Sequence, residues 1–144
     1  MPSSSNFAVS EPFKQGIDEF NQEAFYACHD TLEAIWMTAE TAEKPFYQGI
    51  LQIAVAFYHL GNLNWRGGAI LLGEGISRLR RFEPAYRGIG VEQLVDQAVE
   101  WLTLVQTAGP EGLADLMAEP PLPMPQILWV SDLETTEPDG TAAD

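Results

Sequence analysis

The chain has 144 residues, which suits one compact domain, and its 46% hydrophobic residues are enough to build a core. Seven basic side chains stand against 21 acidic ones, a net charge of -14, so we expect no binding to nucleic acid or to anionic membranes. The single cysteine, Cys28, excludes an intrachain disulfide and a cysteine-rich metal cluster.

The ends and the apolar runs of the chain predict where the protein resides. The opening Met-Pro-Ser-Ser-Ser-Asn has no basic region followed by an apolar run, so we expect no secretory signal. The run from Ile50 to Leu60 is about half as long as the roughly 20 residues that a membrane span needs. We therefore predict a soluble, cytoplasmic protein, in which a lone cysteine stays reduced.

The first part of the chain predicts a short helix followed by a long one. Residues 1–10 are rich in serine and are predicted to be a disordered leader. Ser10 can cap a short helix from Glu11 to Glu19, and Asn21 is predicted to cap a long helix that runs to about Ala39. The predicted inward stripe of the long helix consists of Phe25, His29, Leu32, Glu33 and Trp36.

The most apolar segment, Pro45 to Asn62, predicts a buried central helix with two unlike faces. No charged residue follows Lys44 until Arg66. A helix that is apolar nearly all round is typical of a core position. One face is apolar, with Phe46, Ile50, Ile53, Phe57 and Leu60, and the opposite face carries Gln48, Gln52, Val55 and His59.

The remaining sequence predicts two further helices and an extended segment, with no internal repeat. A third long helix is expected from Trp65 to Phe82, where Gly68, Gly73 and Gly75 predict close approach to a neighbouring helix. A fourth helix is expected from Val91 to Ala108, stopped by Gly109-Pro110 and followed by a short helical segment at residues 111–117. The proline-rich residues 120–125 predict an extended, polyproline-like segment, after which residues 127–130 are apolar enough to pack back on the bundle.

These elements predict an all-α fold in which three long helices form the core of a bundle and a fourth packs alongside. The expected bundle domain covers residues 11–118. The expected tail, residues 119–144, is proline-rich and then acidic, with disorder after residue 130.

Polar side chains converge on the first two long helices, which a turn as short as residues 41–44 makes antiparallel neighbours. His29 and Glu33 lie one turn apart on the first of these helices. The predicted polar pocket between the helices is lined by His29, Glu33, Trp36, Gln48, Gln52 and His59.

Three interpretations of this pocket stay open. His29, Glu33 and His59 are the kinds of ligand that hold a divalent zinc or iron ion with open positions. Alternatively, Glu33 fixes the tautomer of one imidazole, and the other acts as a general base on a small molecule that the glutamines orient. In the third interpretation these side chains satisfy one another and only fix helix packing.

A rival hypothesis is an interaction protein without chemistry. The proline-rich segment is of the kind that docks on aromatic grooves of a protein partner, and leftover apolar faces would allow a homo-oligomer. The basic residues Arg78, Arg80, Arg81 and Arg87 are expected to form a solvated helix end, with an anion or an acidic partner as the alternative.

Several motifs in order resemble the family catalogued as domain of unknown function 309. They are Phe20-Asn21, the run from Phe25 to Trp36, the run from Phe46 to His59, Asn62, Gly68-Ala69 and Leu71-Leu72. The resemblance covers Phe20 to Leu79 and implies a small helical bundle without an established activity. The family pattern His-Glu-x-x-Glu reads His29, Asp30 and Glu33 in this chain, so aspartate stands where the family favours glutamate.

Overall fold

A computed structural model describes residues 10–132 of the chain, and these residues are mainly helical. The all-α prediction is confirmed. The expectations for the leader and for the acidic end fall largely on residues 1–9 and 133–144, outside the described residues. The helices are α1 (Glu11–Asn21), α2 (Phe25–Thr38), α3 (Lys44–Gly61), α4 (Trp65–Leu79), a 3-10 turn (Arg80–Phe82) and α5 (Val91–Ala118).

A small hairpin separates α4 from α5. Strands β1 (Ala85–Tyr86) and β2 (Ile89–Gly90) pair antiparallel. Across residues 10–132, no helix combines the length and the apolarity that a bilayer span needs.

The boundary between α1 and α2 corrects one prediction about Asn21. The Ser10 hydroxyl accepts a hydrogen bond from the Phe13 N–H at 3.3 Å, which confirms the predicted cap of α1. Asn21, however, is the last residue of α1, and α2 begins at Phe25 after Ala24. The prediction that Asn21 caps α2 is wrong, because its carboxamide instead binds the backbone of Ile127, far along the chain.

The predicted central helix α3 is buried as expected and packs closely on α4. Ile50, Ile53 and Leu60 are fully buried. A Cβ at Gly68 would lie 2.3 Å from a methyl carbon of Leu60, and one at Gly75 would lie 2.8 Å from the Gly49 carbonyl oxygen. The absence of a side chain at Gly68 and Gly75 therefore allows α3 and α4 to approach this closely.

The two hairpins α1–α2 and α3–α4 have the same turn, although the sequence analysis predicts no internal repeat. Glu23 and Leu63 sit at the centre of the two turns with φ of 64° and 63°. Each lies two residues after the end of one helix and two residues before the start of the next. The turn residues 22–24 and 62–64 differ in chemistry, so the sequence does not reveal that the two turns are alike.

The last helix breaks where the sequence predicts a stop. Gly109 has φ 70° and ψ 175°, which is not helical, and the helix resumes at Pro110 and runs to Ala118. Proline suits the first turn of a helix because its missing N–H would have no partner there.

The chain then crosses the bundle as an extended strap, which we define as residues 120–130. Ile127 is 1% exposed, and Trp129 bridges to Ile89 of the hairpin. The predicted packing of residues 127–130 on the bundle is confirmed. The strap lies against α1 and α5.

Candidate functional site

Three potential metal ligands lie together at the surface of α2. The Nδ1 atom of His29 is 3.2 Å from a carboxylate oxygen of Asp30, and its Nε2 atom is 3.9 Å from a carboxylate oxygen of Glu33. One ligand atom from each of the three residues lies within 4.8 Å of the others. We call these three residues the His29 cluster.

The helix itself positions the cluster. His29 and Glu33 are four residues apart and so project from the same side of α2. The His29 side chain is 23% exposed, whereas those of Asp30 and Glu33 are 65% and 51% exposed. The imidazole is thus partly held by packing while both carboxylates reach solvent.

The prediction that Glu33 faces the bundle interior is wrong. The buried positions of α2 are Phe25, Cys28 and Leu32. These positions follow the helical repeat and set the inward direction, so His29 lies at the boundary of the core and Glu33 lies outside it. The predicted inward stripe therefore combines residues from two adjacent faces of α2.

Gln52 points to α4 instead of to the His29 cluster. Its Nε2 donates to a Glu74 carboxylate oxygen at 3.1 Å, and its Oε1 accepts from Arg78 at 3.1 Å. Gln52 is 8% exposed, so both ends of a buried carboxamide are satisfied. Gln48, one turn earlier, is half-buried.

His59 also has a partner of its own. Its Nδ1 lies 3.2 Å from the Asn64 side-chain nitrogen in the turn that follows α3. The ring contacts that join the two histidines run through two exposed tyrosines. Tyr26 lies 5.6 Å from the His29 ring and 5.1 Å from Tyr58, whose ring lies 6.0 Å from that of His59.

Trp36 lies near the far end of α2 and is half-buried. The Lys44 ammonium sits 4.6 Å from the centre of its indole ring, a cation–π contact between α2 and α3. Its indole N–H is buried and finds no hydrogen-bond partner among the described residues.

The structure therefore brings together His29 and Glu33 of the predicted set, and it places Gln52 and His59 in separate contacts. Asp30 lies outside the predicted set but belongs to the cluster. The signal that marks it is its place in the His-Asp-x-x-Glu pattern, next to the histidine. Two members of the predicted basic patch are also engaged, Arg78 with Gln52 and Arg87 with Glu43.

Comparison with known proteins addresses the same part of the chain. Residues 13–71 match the family model described as Domain of unknown function (DUF309). The search of curated proteins gave no match. The match contains the His29 cluster, α3 and the start of α4, and it confirms the resemblance that the sequence motifs predict. The segment that builds the candidate site is thus similar to the DUF309 family.

Proposed function

We propose that this protein binds a divalent transition-metal ion at the His29 cluster. The observation that carries the proposal is the convergence of one imidazole and two carboxylates within 4.8 Å on one helix turn. Imidazole and carboxylate ligands together suit zinc and its neighbours better than magnesium or calcium, which prefer oxygen alone.

The contact between His29 and Asp30 supports a defined tautomer. A carboxylate beside Nδ1 favours the proton on that nitrogen, and the lone pair then lies on Nε2. Nε2 is the atom nearest to Glu33, so the ring would present its free lone pair beside the second ligand. Asp30 would act as the outer partner that orients a metal-binding histidine.

The exposure of the carboxylates leaves room for further ligands. A metal held by the His29 Nε2 atom and a Glu33 carboxylate oxygen, with Asp30 as the outer partner, keeps positions for water or for a small molecule. The neighbouring Tyr26 and Tyr58 are 54% and 41% exposed and would contact such a molecule. We place this activity in the cytoplasm, a location supported by the buried, free Cys28.

Zinc titration of the full chain without an affinity tag tests the proposal. We expect the wild-type protein to bind about one Zn²⁺ by calorimetry and His29→Gln to lose the binding, because the imidazole is the central ligand. Asp30→Asn should weaken binding by about 10–100-fold, the usual effect of removing an outer partner.

The second histidine provides the matched control. His59→Gln removes an imidazole that is half-buried like that of His29 but contacts Asn64 instead of a carboxylate, so zinc affinity should be unchanged. A wild-type protein that binds no zinc, or an equal loss in the His29 and His59 variants, would contradict the proposal.

A second candidate function, a polar network that only fixes helix packing, is supported for Gln52. Gln52→Ala removes the partner of both Glu74 and Arg78 inside the α3–α4 interface. We expect the free energy of unfolding in urea to fall by about 1 kcal/mol, since two hydrogen bonds are lost while the exposed Glu74 and the half-buried Arg78 can turn to water. Gln48→Ala, one turn earlier on α3, should change it by less than about 0.5 kcal/mol. Equal effects would count against a network centred on Gln52.

A further inference from the structure

Two carboxamide side chains hold the strap by its backbone. Asn21 donates from Nδ2 to the Ile127 carbonyl at 3.0 Å and accepts from the Ile127 N–H at 2.7 Å. Gln97 does the same for the preceding residue, donating to the Gln126 carbonyl and accepting from the Gln126 N–H, both at 2.9 Å. The two pairs come from different helices, α1 and α5, and grip consecutive residues of an extended chain.

Further hydrogen bonds extend this grip along the strap. The Trp101 indole N–H donates to the Pro123 carbonyl at 2.9 Å. At the other end, the Gly90 N–H donates to the Leu128 carbonyl at 2.8 Å, and the Val130 N–H donates to the Gly88 carbonyl at 2.7 Å. The strap thus also adds to the edge of the β1–β2 hairpin, which is a recurring way in which proteins bind extended peptides.

Side chains of the strap alternate between the bundle and solvent. Pro125 and Ile127 are buried, Gln126 and Leu128 are exposed, and the Trp129 ring contacts Phe13 at 6.0 Å. This alternation with a period of two is typical of an extended segment that has one face against the protein. Backbone bonds supply the grip, and the two inward positions select proline and a branched apolar residue.

Beside the strap lies an open cavity of about 400 Å³ with two carboxylates in its lining. The exposed Asp96 and Glu100 stand one helical turn apart on α5, and the Gln93 side-chain oxygen is buried and finds no hydrogen-bond partner among the described residues. Leu128 lines the same cavity as Asp96 and Glu100, so a cation at that position of a peptide would lie near two carboxylates. The cavity is lined by Gln93, Asp96, Gln97, Glu100, Gln126 and Leu128.

We infer that the surface of α1 and α5 beneath the strap, which we call the groove, is a recognition site for an extended peptide of a partner protein, and that the strap occupies it in cis. The partner segment has proline and isoleucine at the places of Pro125 and Ile127. It has lysine or arginine at the place of Leu128, because that position lines the same cavity as the two carboxylates.

A tethered strap competes strongly with a free peptide. A short tether gives an effective concentration on the order of millimolar, so the wild-type chain should bind a free peptide weakly. The test therefore weakens the strap in the full-length chain and leaves the groove intact. Gln126→Pro removes the backbone N–H that donates to the Gln97 Oε1 atom, and Ile127→Ser removes the buried apolar side chain.

Fluorescence anisotropy with a labelled peptide of residues 119–132 measures the binding. We expect both strap variants to bind it at least tenfold more tightly than the wild-type chain does. Adding Asn21→Ala and Gln97→Ala to the Gln126→Pro chain should abolish that gain. A peptide carrying Leu128→Arg should bind several-fold more tightly still, and Asp96→Asn with Glu100→Gln in the protein should cancel this second gain.

Circular dichroism and amide hydrogen exchange define which result overturns the inference. Gln126→Pro keeps Ile127 in the core, so it serves where Ile127→Ser does not fold. Folded variants with an exchanging strap and no peptide binding would overturn the inference, as would binding that survives the loss of Asn21 and Gln97. Equal affinity for the Leu128 and arginine peptides would refute the basic partner.

Discussion

Gly75→Ala is expected to destabilise the protein by about 1 kcal/mol, although alanine is the better helix former. A Cβ at Gly75 would lie 2.8 Å from the Gly49 carbonyl oxygen and 3.2 Å from the Ile53 nitrogen. Both are backbone atoms of α3, so no side-chain rotation relieves the overlap and the helices must separate. Overpacking of a core costs about 1–3 kcal/mol, more than the roughly 1 kcal/mol that alanine gains over glycine in a helix.

Gly73→Ala is the matched control on the same helix. A Cβ at Gly73 would meet nothing within 4 Å, so only the helix preference remains. We expect this variant to gain about 0.5–1 kcal/mol. Urea unfolding of the two variants measures the difference, and a change of the same sign in both would contradict the close packing of α3 on α4.

The glycines of α4 also show which features of helix packing the sequence predicts. Three of the glycines of α4 are predicted to allow a close approach, and this holds for Gly68 and Gly75 but not for Gly73. Apolar periodicity predicts which segments are helical and that α3 is central. It does not reveal which side of α4 contacts α3, because glycine carries no side chain that distinguishes the two sides.

The candidate site is harder to predict from the sequence than the fold is, because the choice of a helix face depends on the angle between successive residues. Adjacent positions on a helix differ by about 100°, so a face drawn through His29 and Glu33 is easily confused with the core face through Cys28 and Leu32. Contacts between residues distant in sequence are also not predicted by helical periodicity. Asn21 meets Ile127, and Gln97 meets Gln126, only because the chain returns across the bundle.

The thiol of Cys28 is expected to be almost inert in the folded protein. Its side chain is fully buried, and burial, with a smaller effect from the nearby Glu19 carboxylate, raises the pKa of Cys28 to about 12 from 9.0. Only the thiolate reacts with a disulfide reagent. Each unit of pKa is a factor of ten in thiolate, so at pH 8 we expect a native reaction rate about a thousandfold below that in urea. A rate within tenfold of the unfolded one would contradict the burial.

The same shift predicts a loss of stability in alkali. Above pH 9 the unfolded chain releases the thiol proton while the folded chain keeps it, so deprotonation favours the unfolded state. The contribution of Cys28 is complete below pH 9 and is lost as the pH rises to about 12. Tyr47, whose pKa is raised by burial and by Tyr86, acts in the same direction. Cys28→Ala keeps the tyrosine and removes the thiol, so its free energy of unfolding should fall less steeply between pH 9 and 11 than that of the wild-type protein. Parallel curves would show that the thiol ionises as readily in the folded chain as in the unfolded one.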